Sequence, residues 1–363
     1  MRSDESAVQI GALVPLARPG WVEAGRHLLA GLELAVGEVN DAGGIGGRPL
    51  ELVVRDTAAD PQKAAAAVDE LARLGVAALA GEYHSVVARA AAARADALGL
   101  PFLCSSAVLD ALTGEPTPWV ARLAPAQSHG WPIYADFLLG AGHRRIAVAT
   151  EPSVYWASGT RILRDHVSPR GGTVIELDAR ALGPTAMGDE LVNNRATALL
   201  LLVGFPEPAV SIVKSVRRDQ RLAEIMIGAP AGQPEFAEWL TLLSDDSVAI
   251  PFLRYRPARL SRLGVRVETA LRERLAEAPS FVAFEGYDTV TVLADMLRSR
   301  GLDRARIAEF WPRVAVEGTR GQVRFSRTPG ISVWQWTWPP TQVVDRDPAR
   351  PGRFRVRHPR IGR

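Results

Sequence analysis

The sequence predicts an α/β protein in which parallel sheets are flanked by helices, built as two such units in series. Short apolar runs alternate with segments whose apolar residues recur every three or four positions, the pattern of buried strands and amphipathic helices. The alternation restarts near the middle of the chain, after a proline-containing connection at about 120–130. A length of 363 residues also suits two domains of ordinary size.

The first unit opens with a strand and a helix. Residues 8–16 form a nearly continuous apolar run, typical of a strand that is buried on both faces. The helix after it ends at the glycine-rich segment 43–47, which we interpret as a tight turn. Asp60 and Pro61 are the residue types preferred at an N-cap and at the first helical position, so a second helix is predicted to begin there. The other elements predicted in this unit are strands over 50–54, 76–80 and 101–104 and a helix over 86–98.

The second unit repeats this pattern, and the last third of the chain departs from it. The second unit is predicted to contain strands over 145–150, 173–177, 198–203 and 225–228 and helices over 157–166 and 208–218. The last third is predicted to contain helices over 261–276, 282–298 and 304–314 and strands over 321–325, 333–338 and 342–344. It is too short for a core of its own, so its pieces are expected to join the first two units. Trp334, Trp336 and Trp338 alternate along one of its strands and are expected to pack on one face against a sheet.

The composition is that of a folded chain with little net charge. Apolar residues make up 47% of the chain and charged residues 23%, which excludes a disordered or fibrous protein. The 43 basic and 40 acidic residues are interspersed along most of the chain, so we predict no nucleic-acid partner. The exception is the segment 350–363, which has six arginines and no acid, and which we expect to be a solvated end.

The cellular compartment stays open at this stage. The single cysteine, Cys104, excludes an intrachain disulfide and therefore does not indicate a compartment. Residues 1–6 contain no apolar signal core. We expect either a cytosolic protein or an exported one in which Met1 replaces a removed signal peptide. The longest apolar run, 198–205, has eight residues and is too short to span a bilayer.

The sequence predicts no enzyme, no metal and no cofactor. No two of the six histidines are three to five residues apart, so local spacing gives no zinc site, and the histidines are expected on the surface or in a cleft. There is no Gly-x-Ser-x-Gly elbow. The glycines of 43–47 lie between a helix and a strand, the wrong order for a dinucleotide-binding loop.

Ligand-binding side chains are predicted at the carboxyl ends of the strands, where open α/β sheets bind small molecules. The candidates are Trp21, Tyr83, Ser85, Ser105 and Ser106 in the first unit and Tyr155, Trp156 and Phe205 in the second. Ser85 is expected to open a helix, whose unpaired N–H groups and dipole favour an anion or a carbonyl oxygen. A plain N-cap is the alternative for Ser85, and core packing is the alternative for Tyr155 and Trp156.

Six segments resemble the type I periplasmic binding proteins of the leucine/isoleucine/valine-binding class. They are Ile10–Val14, Glu38–Gly47, Arg55–Pro61, Gly81–Ser85, Tyr287–Asp288 and Gly318–Phe325. The resemblance extends over essentially the whole chain. It implies a two-lobed type I fold with three hinge crossovers that closes on a ligand, and no catalysis. The implied lobes are 7–124 plus 253–328 and 125–252 plus 329–363.

The resemblance also implies roles for particular residues. Ser85 matches the serine that binds a ligand carboxylate, and Ser106 and Ala107 lie where the family uses backbone groups. Tyr155 and Phe205 match aromatic positions that cover the ligand from the second lobe.

Two departures concern the ligand's ammonium group. Val108 stands where amino-acid binders have a threonine, and the segment 228–232 lacks their acid. Since an unpaired buried charge is costly, a replacement acid would be Glu82, Glu151 or Glu285.

The function implied by the resemblance is that of a ligand-binding protein of a branched-chain-amino-acid-type ABC transporter. It would capture an amino acid, an amide or a small carboxylate and deliver it to permease subunits, in an extracytoplasmic compartment if a signal peptide was removed. The alternative is a cytosolic amide or amino-acid sensor that regulates a partner protein. The pair Tyr83-x-Ser85 and the turn 44–46 also resemble such sensors, but Ser106 and Ala107 replace their proline and threonine. No oligomeric state is indicated.

Overall fold

The chain forms two compact units and passes between them three times. A computed structural model describes residues 6–359. Unit 1 contains the residues up to 126 together with 259–340, and unit 2 contains 127–258 together with the residues from 341 onward. The predicted α/β fold, with a parallel sheet and flanking helices in each unit, is confirmed.

The strands and helices are numbered in chain order. The strands are β1 (Val8–Val14), β2 (Leu50–Asp56), β3 (Ala78–Gly81), β4 (Phe102–Cys104), β5 (Val120–Arg122), β6 (Arg145–Thr150), β7 (Thr173–Asp178), β8 (Ala198–Leu202), β9 (Met226–Gly228), β10 (Phe252–Arg254), β11 (Val316–Gly318), β12 (Gly321–Val323), β13 (Phe325–Ser326), β14 (Trp334–Trp336), β15 (Gln342–Asp347) and β16 (Arg350–Pro359). The helices are α1 (Val22–Asp41), α2 (Pro61–Arg73), α3 (Ser85–Ala97), α4 (Gln127–Gly140), α5 (Val154–Val167), α6 (Pro184–Asn193), α7 (Ala209–Arg218), α8 (Ala237–Leu243), α9 (Arg262–Leu275), α10 (Phe281–Arg300) and α11 (Arg304–Ala308).

Unit 1 is built on a seven-stranded sheet in the order β13-β14-β5-β4-β3-β1-β2. Neighbouring strands run parallel except β13 and β14, which are antiparallel. The side chains of Ile10 and Leu13 on β1 are fully buried, as the apolar run predicts. Because β1, β3 and β4 are adjacent and parallel, the loops at their carboxyl ends meet at one edge of the sheet.

Local signals placed several element ends correctly. Asp60 caps α2, since its side chain accepts hydrogen bonds from the backbone N–H groups of Gln62 and Lys63. The segment 43–47 forms the predicted turn after α1. Gly44 has a φ of +71° there, and a methyl group at this position would overlap the carbonyl oxygen of Arg48. This turn therefore requires glycine.

α1 and α10 pack so closely that their backbones approach each other at two glycines. A methyl group at Gly31 of α1 would overlap the carbonyl oxygen of Ala283 on α10. A methyl group at Gly286 of α10 would overlap the carbonyl oxygen of Leu28 on α1. The two glycines therefore allow the close approach of two long helices that are 240 or more residues apart in the chain.

The boundaries of the units differ from the predicted lobes 7–124 plus 253–328 and 125–252 plus 329–363. β14 pairs in parallel with β5, so residues 329–340 belong to unit 1. β10 pairs with β15, so the end of β10 and the residues up to 258 belong to unit 2. Short strands are placed by hydrogen bonds to distant partners, which no local pattern reveals.

The three tryptophans near the C-terminus do not form the single packed face that their spacing predicts. Trp336 is buried, and the guanidinium of Arg320 lies 5.0 Å from the centre of its ring. Trp334 is covered by Arg327 at 4.2 Å. Trp338 lies beyond the end of β14 and is 65% exposed, so the prediction was wrong for this residue.

Unit 2 contains the parallel sheet β7-β6-β8-β9 and an antiparallel sheet β10-β15-β16. Residues 350–358 are exposed or half-buried, as expected of a solvated end, but they belong to the edge strand β16, while 360–363 lie outside the described residues. The carboxylate of Asp345 on β15 is fully buried and pairs with Arg355 at 2.8 Å and Arg357 at 3.0 Å. These ion pairs between strands tie the arginine-rich segment to the sheet.

The helices α4, α6 and α8 were not predicted. α4 buries side chains around much of its circumference, including Trp131, Tyr134 and Phe137, so it lacks the apolar stripe of an amphipathic helix. Pro132, near the start of α4, is also more typical of a connecting loop than of a helix. No helix among residues 6–359 has the length and apolar character needed to cross a membrane.

Candidate functional site

The loops after β1 and β3 pack together at the edge of the sheet in unit 1. The rings of Trp21 and Tyr83 lie edge to face with centres 6.1 Å apart, and those of Tyr83 and His84 are 5.1 Å apart. The backbone N–H of Trp21 donates to Nε2 of His84 at 3.4 Å. The structure therefore brings the predicted Trp21 and Tyr83 together beside the start of α3.

Glu82 organises this loop from the inside. Its carboxylate is fully buried and accepts the backbone N–H groups of Tyr83 at 2.8 Å and His84 at 2.9 Å. The hydroxyl of Thr57 donates to its other oxygen at 2.7 Å. With both oxygens already accepting protein donors, Glu82 fits poorly as a replacement for the missing ammonium-binding acid.

Ser85 opens α3, as predicted, but it does not cap the helix. The N-cap position belongs to His84. The Oγ of Ser85 instead accepts the backbone N–H groups of Val108 at 3.1 Å and Leu109 at 3.3 Å in the loop after β4. These two bonds use both lone pairs of the hydroxyl, so its hydrogen remains to be donated. This hydroxyl donates no hydrogen bond to the residues that the structure describes.

The three candidates after β4 point in different directions. Ser105 is fully buried, and its hydroxyl lies 2.9 Å from that of Thr289 on α10, so it serves the core. Ala107 is also fully buried in the apolar core of unit 1. The hydroxyl of Ser106 lowers the pKa of the Glu285 carboxyl on α10, although the two groups form no hydrogen bond of ordinary geometry.

Glu285 belongs to a buried ion-pair cluster beneath this edge. One of its carboxylate oxygens lies 3.1 Å from Nη1 of Arg320, whose Nε contacts Asp288 at 2.9 Å. All three side chains are excluded from solvent. Burial raises the pKa of Glu285 to about 7, and the charge of Arg320 and the hydroxyl of Ser106 oppose that rise. Glu285 is therefore poised between its neutral and charged forms near neutral pH.

In unit 2 the predicted aromatic residues lie in the first turn of α5, not before it. The Ser153 side chain caps this helix by accepting the N–H of Tyr155 at 3.2 Å. The rings of Tyr155 and Trp156 are 4.6 Å apart, and the ring of Trp131 stands edge to face with Tyr155 at 6.1 Å. Burial raises the pKa of Tyr155, so its phenol stays protonated. Trp131 fits against α5 because Gly159 has no side chain, and a methyl group there would overlap the indole.

Phe205 and Glu151 follow β8 and β6 in the same unit. The ring of Phe205 stacks on Trp239 with centres 5.6 Å apart, which favours core packing. The carboxylate of Glu151 accepts the N–H of Gly204 at 2.7 Å and lies 3.7 Å from Arg180. Like Glu82, this carboxylate already binds protein donors and fits poorly as the replacement acid.

The loop after β9 carries no acid at the position that the family resemblance points to. Residues 229–232 are Ala-Pro-Ala-Gly, and the next side chain with polar groups is Gln233, whose amide donates to the carbonyl of Val203 at 3.4 Å. Glu235 follows it and pairs with Arg254 at 2.8 Å. The departure at 228–232 is therefore not repaired within this loop.

One cluster of potential metal ligands was not predicted from the sequence, because it combines one histidine with two acids. Glu23, His27 and Glu277 bring their ligand atoms within 4.8 Å of one another, and His27 is buried although a surface or cleft position was expected. The Nδ1 of His27 accepts the backbone N–H of Ser280 at 3.0 Å. In the neutral ring Nε2 therefore carries the proton and donates to Glu277 at 3.0 Å, where a metal would need a free lone pair. Arg26 also pairs with Glu277, so the cluster fits an internal ion pair.

Comparison with known proteins identifies relatives over most of the chain. The family model described as periplasmic binding protein matches residues 7–333. The Leu/Ile/Val-binding protein homolog 8 of Brucella abortus is 30% identical over 177 residues, which cover 46% of this chain and 44% of that protein. The chain thus matches less than half the length of this curated relative.

Solved structures show the same fold at low sequence identity. The branched-chain amino acid transporter substrate-binding protein of Streptococcus pneumoniae, in complex with isoleucine, has a TM-score of 0.82 and 20% identity, with 98% of this chain and 100% of that chain covered. An ABC transporter solute-binding protein of R. palustris, in complex with benzoate, has a TM-score of 0.80 and 17% identity, with 99% and 98% covered. The family resemblance read from the residues is confirmed by these matches.

Proposed function

The chain belongs to the periplasmic binding protein family, with the type I fold of its leucine/isoleucine/valine-binding class, and from that premise we propose that it is the ligand-binding protein of a branched-chain-amino-acid-type ABC transporter. It would bind an amino acid, an amide or a small carboxylate in an extracytoplasmic compartment. Permease subunits would receive the ligand. The named relatives support this proposal, since one solved structure holds isoleucine and another holds benzoate.

The single observation that carries the proposal is the hydroxyl of Ser85. Its lone pairs are taken by the N–H groups of Val108 and Leu109, so only its hydrogen is left to donate. It lies in the first turn of α3, where the helix dipole favours a negative charge. A donor at a helix N-terminus suits the carboxylate or carbonyl end of a ligand, and the paired rings of Trp21 and Tyr83 before the same helix suit an apolar body.

A ligand panel tests the proposal. The panel contains L-leucine, L-phenylalanine, benzoate, 3-phenylpropanoate, 4-methylpentanoate and acetamide, and the readout is the melting temperature followed by titration calorimetry. A ligand at 100 times its dissociation constant adds about 2.7 kcal/mol to the stability. A rise with amino acids or carboxylates supports the transporter proposal. A rise with acetamide alone favours the amide sensor, and no rise with any compound contradicts the ligand class proposed.

Ser85→Ala is expected to weaken the binding of a carboxylate ligand by about 10- to 100-fold, since a hydrogen bond to a charged group contributes about 1.5–3 kcal/mol. The measurement is the dissociation constant by calorimetry. Ser261→Ala is the matched control, because Ser261 also begins a helix of unit 1 and caps α9 through the N–H of Gly264 at 3.1 Å. The control is expected to lose about 1 kcal/mol of stability and no affinity. Equal affinities for wild type and Ser85→Ala would show that Ser85 does not bind the ligand.

A further inference from the structure

The buried cluster beneath Ser106 contains two acidic side chains and only one basic side chain. Arg320 provides one guanidinium for two carboxylates, Glu285 and Asp288. Asp288 accepts three hydrogen bonds, from the N–H of Thr319 at 2.6 Å, the hydroxyl of Thr319 at 2.8 Å and Nε of Arg320 at 2.9 Å. Glu285 accepts one such bond, from Nη1 of Arg320 at 3.1 Å. Glu285 is therefore the carboxyl that gains more from holding a proton or from gaining another donor.

Oε2 of Glu285 and Oγ of Ser106 are buried, and neither has a hydrogen-bond partner of ordinary geometry within residues 6–359. The two groups are nevertheless close, since the Ser106 hydroxyl lowers the pKa of Glu285. A buried hydroxyl and a buried carboxylate oxygen that are close without being bonded can pair with each other after a small rotation of the Ser106 side chain.

Ser106 belongs to the loop whose backbone binds the proposed carboxylate donor. Val108, whose N–H binds Ser85 Oγ at 3.1 Å, is two residues after Ser106. The Cα atoms of Ser106 and Val108 are therefore at most about 7 Å apart. The carboxylate and ammonium groups of an α-amino acid are attached to the same carbon atom. A ligand whose carboxylate binds Ser85 can therefore place its amine near Ser106.

We propose that Glu285 sets the direction of the Ser106 hydroxyl and thereby selects between ligands with and without an amine. With Glu285 ionised, Ser106 donates its hydrogen to Oε2 and turns its lone pairs toward a ligand N–H. With Glu285 protonated, the carboxyl donates to Ser106, whose own hydrogen then points to a ligand oxygen. Glu285 would in this way replace the acid that the segment 228–232 lacks. This inference rests on the proposed function, because it concerns the same ligand.

Arg320 and Asp288 are the charged groups that act on the Glu285 carboxyl. The other titratable groups on the elements packed against α10 include His27 and Glu38 on α1, Glu82 after β3, Cys104 on β4, Arg266 on α9, Arg304 on α11 and Glu317 on β11. The remaining acids and arginines of α1, α9 and α11 are exposed or half-buried. Glu38 pairs with Arg266, His27 contacts Glu277, and Glu82 binds Thr57. Burial raises the pKa of Cys104 to about 11, so this thiol is neutral. Arg304 donates to the carbonyl of Val76, and Glu317 is exposed.

The first test needs no ligand. The carboxyl carbon of Glu285 is followed by NMR as a function of pH in protein with labelled glutamate, and Glu285→Gln identifies its signal. The wild-type midpoint is expected near 7. Ser106→Ala is expected to raise the midpoint, because the hydroxyl stabilises the carboxylate. An unchanged midpoint in Ser106→Ala would overturn the proposed coupling.

The second test compares ligands that differ only by an amine. The pairs are L-leucine with 4-methylpentanoate and L-phenylalanine with 3-phenylpropanoate, each titrated from pH 5.5 to 8.5. The affinity for the amino acid is expected to rise about tenfold per pH unit below the Glu285 midpoint, because binding releases the carboxyl proton. The affinity for the deaminated analogue is expected to fall over the same range. Parallel pH profiles for the two members of a pair would contradict the proposal.

Two variants complete the second test. Glu285→Gln keeps the shape of the protonated form and is expected to bind the amino acid at least tenfold more weakly at pH 8.5, with no pH dependence between 5.5 and 8.5. Glu317→Gln is the control, because Glu317 is exposed on β11, and it is expected to behave as wild type. If no ligand of the panel binds the wild type, the proposed function fails, whereas the NMR titration still decides the coupling of Ser106 and Glu285.

Discussion

Replacing Arg320 with methionine is expected to lower the free energy of unfolding by about 3–5 kcal/mol at pH 8. Arg320 is the guanidinium shared by Glu285 and Asp288, and all three side chains are excluded from solvent. Without it, two carboxylates remain buried without their counter-charge, and both must be neutralised or hydrated. The measurement is the unfolding midpoint in urea or on heating, compared at pH 5 and pH 8.

The destabilisation caused by Arg320→Met is expected to depend on pH. The pKa of Glu285 is raised from 4.5 to about 7 in the folded chain, so the folded state holds a proton that the unfolded state releases. This contribution is fully present below pH 4.5 and is lost as the pH rises to about 7, a change on the order of 3 kcal/mol. Removing Arg320 raises that pKa further. The destabilisation of Arg320→Met is therefore expected to be larger at pH 8 than at pH 5.

The control for this experiment is an arginine outside any buried cluster. Arg313 is exposed and forms no ion pair with the described residues, so Arg313→Met is expected to change the stability by less than about 0.5 kcal/mol. A matching loss in Arg320→Met and Arg313→Met would show that the buried cluster does not depend on Arg320.

Replacing Gly31 with alanine is expected to lower the stability by about 3 kcal/mol, at the upper end of the usual cost of overpacking. The added methyl group would overlap the carbonyl oxygen of Ala283, and backbone atoms of a helix yield less easily than a side chain. For a chain of this size the melting temperature should fall by about 6 °C, taking about 2 °C per kcal/mol. Differential scanning calorimetry measures this shift.

The same helix provides the matched control. Gly37 is exposed on α1, and no atom lies within 4 Å of the position that a methyl group would occupy. Gly37→Ala is expected to raise the stability by about 1 kcal/mol, because alanine favours the helical backbone. A similar effect of both substitutions, in either direction, would mean that the close contact of α1 with α10 does not constrain Gly31.

The candidate site was predictable only in part. Ser85 was identified from its place after a strand and before a helix, and the structure adds the hydrogen bonds that orient its hydroxyl. Ser105 has the same type of side chain and a neighbouring position, yet it turns to Thr289 in the core. The two serines differ in the direction of their side chains, which depends on the packing of α10 behind β4. The role proposed for Ser85 is tested by Ser85→Ala.

The replacement for the acid that the segment 228–232 lacks could not be chosen from the sequence alone. Glu82, Glu151 and Glu285 were equivalent candidates in the sequence, since each lies near the end of a strand or on a helix behind it. The structure separates them by what they already bind. Glu82 accepts two backbone N–H groups and a hydroxyl, and Glu151 accepts one backbone N–H and faces an arginine. Glu285 retains a buried oxygen without a hydrogen bond of ordinary geometry to the described residues.

The sequence by itself determined the fold class, the alternation of strands and helices, the start of α2 at Asp60 and the family. These depend on periodicity, capping and short motifs, which act between residues close together in the chain. Only the tertiary structure decided that β14 joins the sheet of unit 1, that α1 meets α10 at Gly31 and that Glu285 and Asp288 share Arg320. These contacts join residues that are distant in the chain. The charge balance of the buried cluster also becomes visible only when it is known which charged side chains are buried together. Their energies depend on the atoms that surround each group, and no local pattern in the sequence records those atoms.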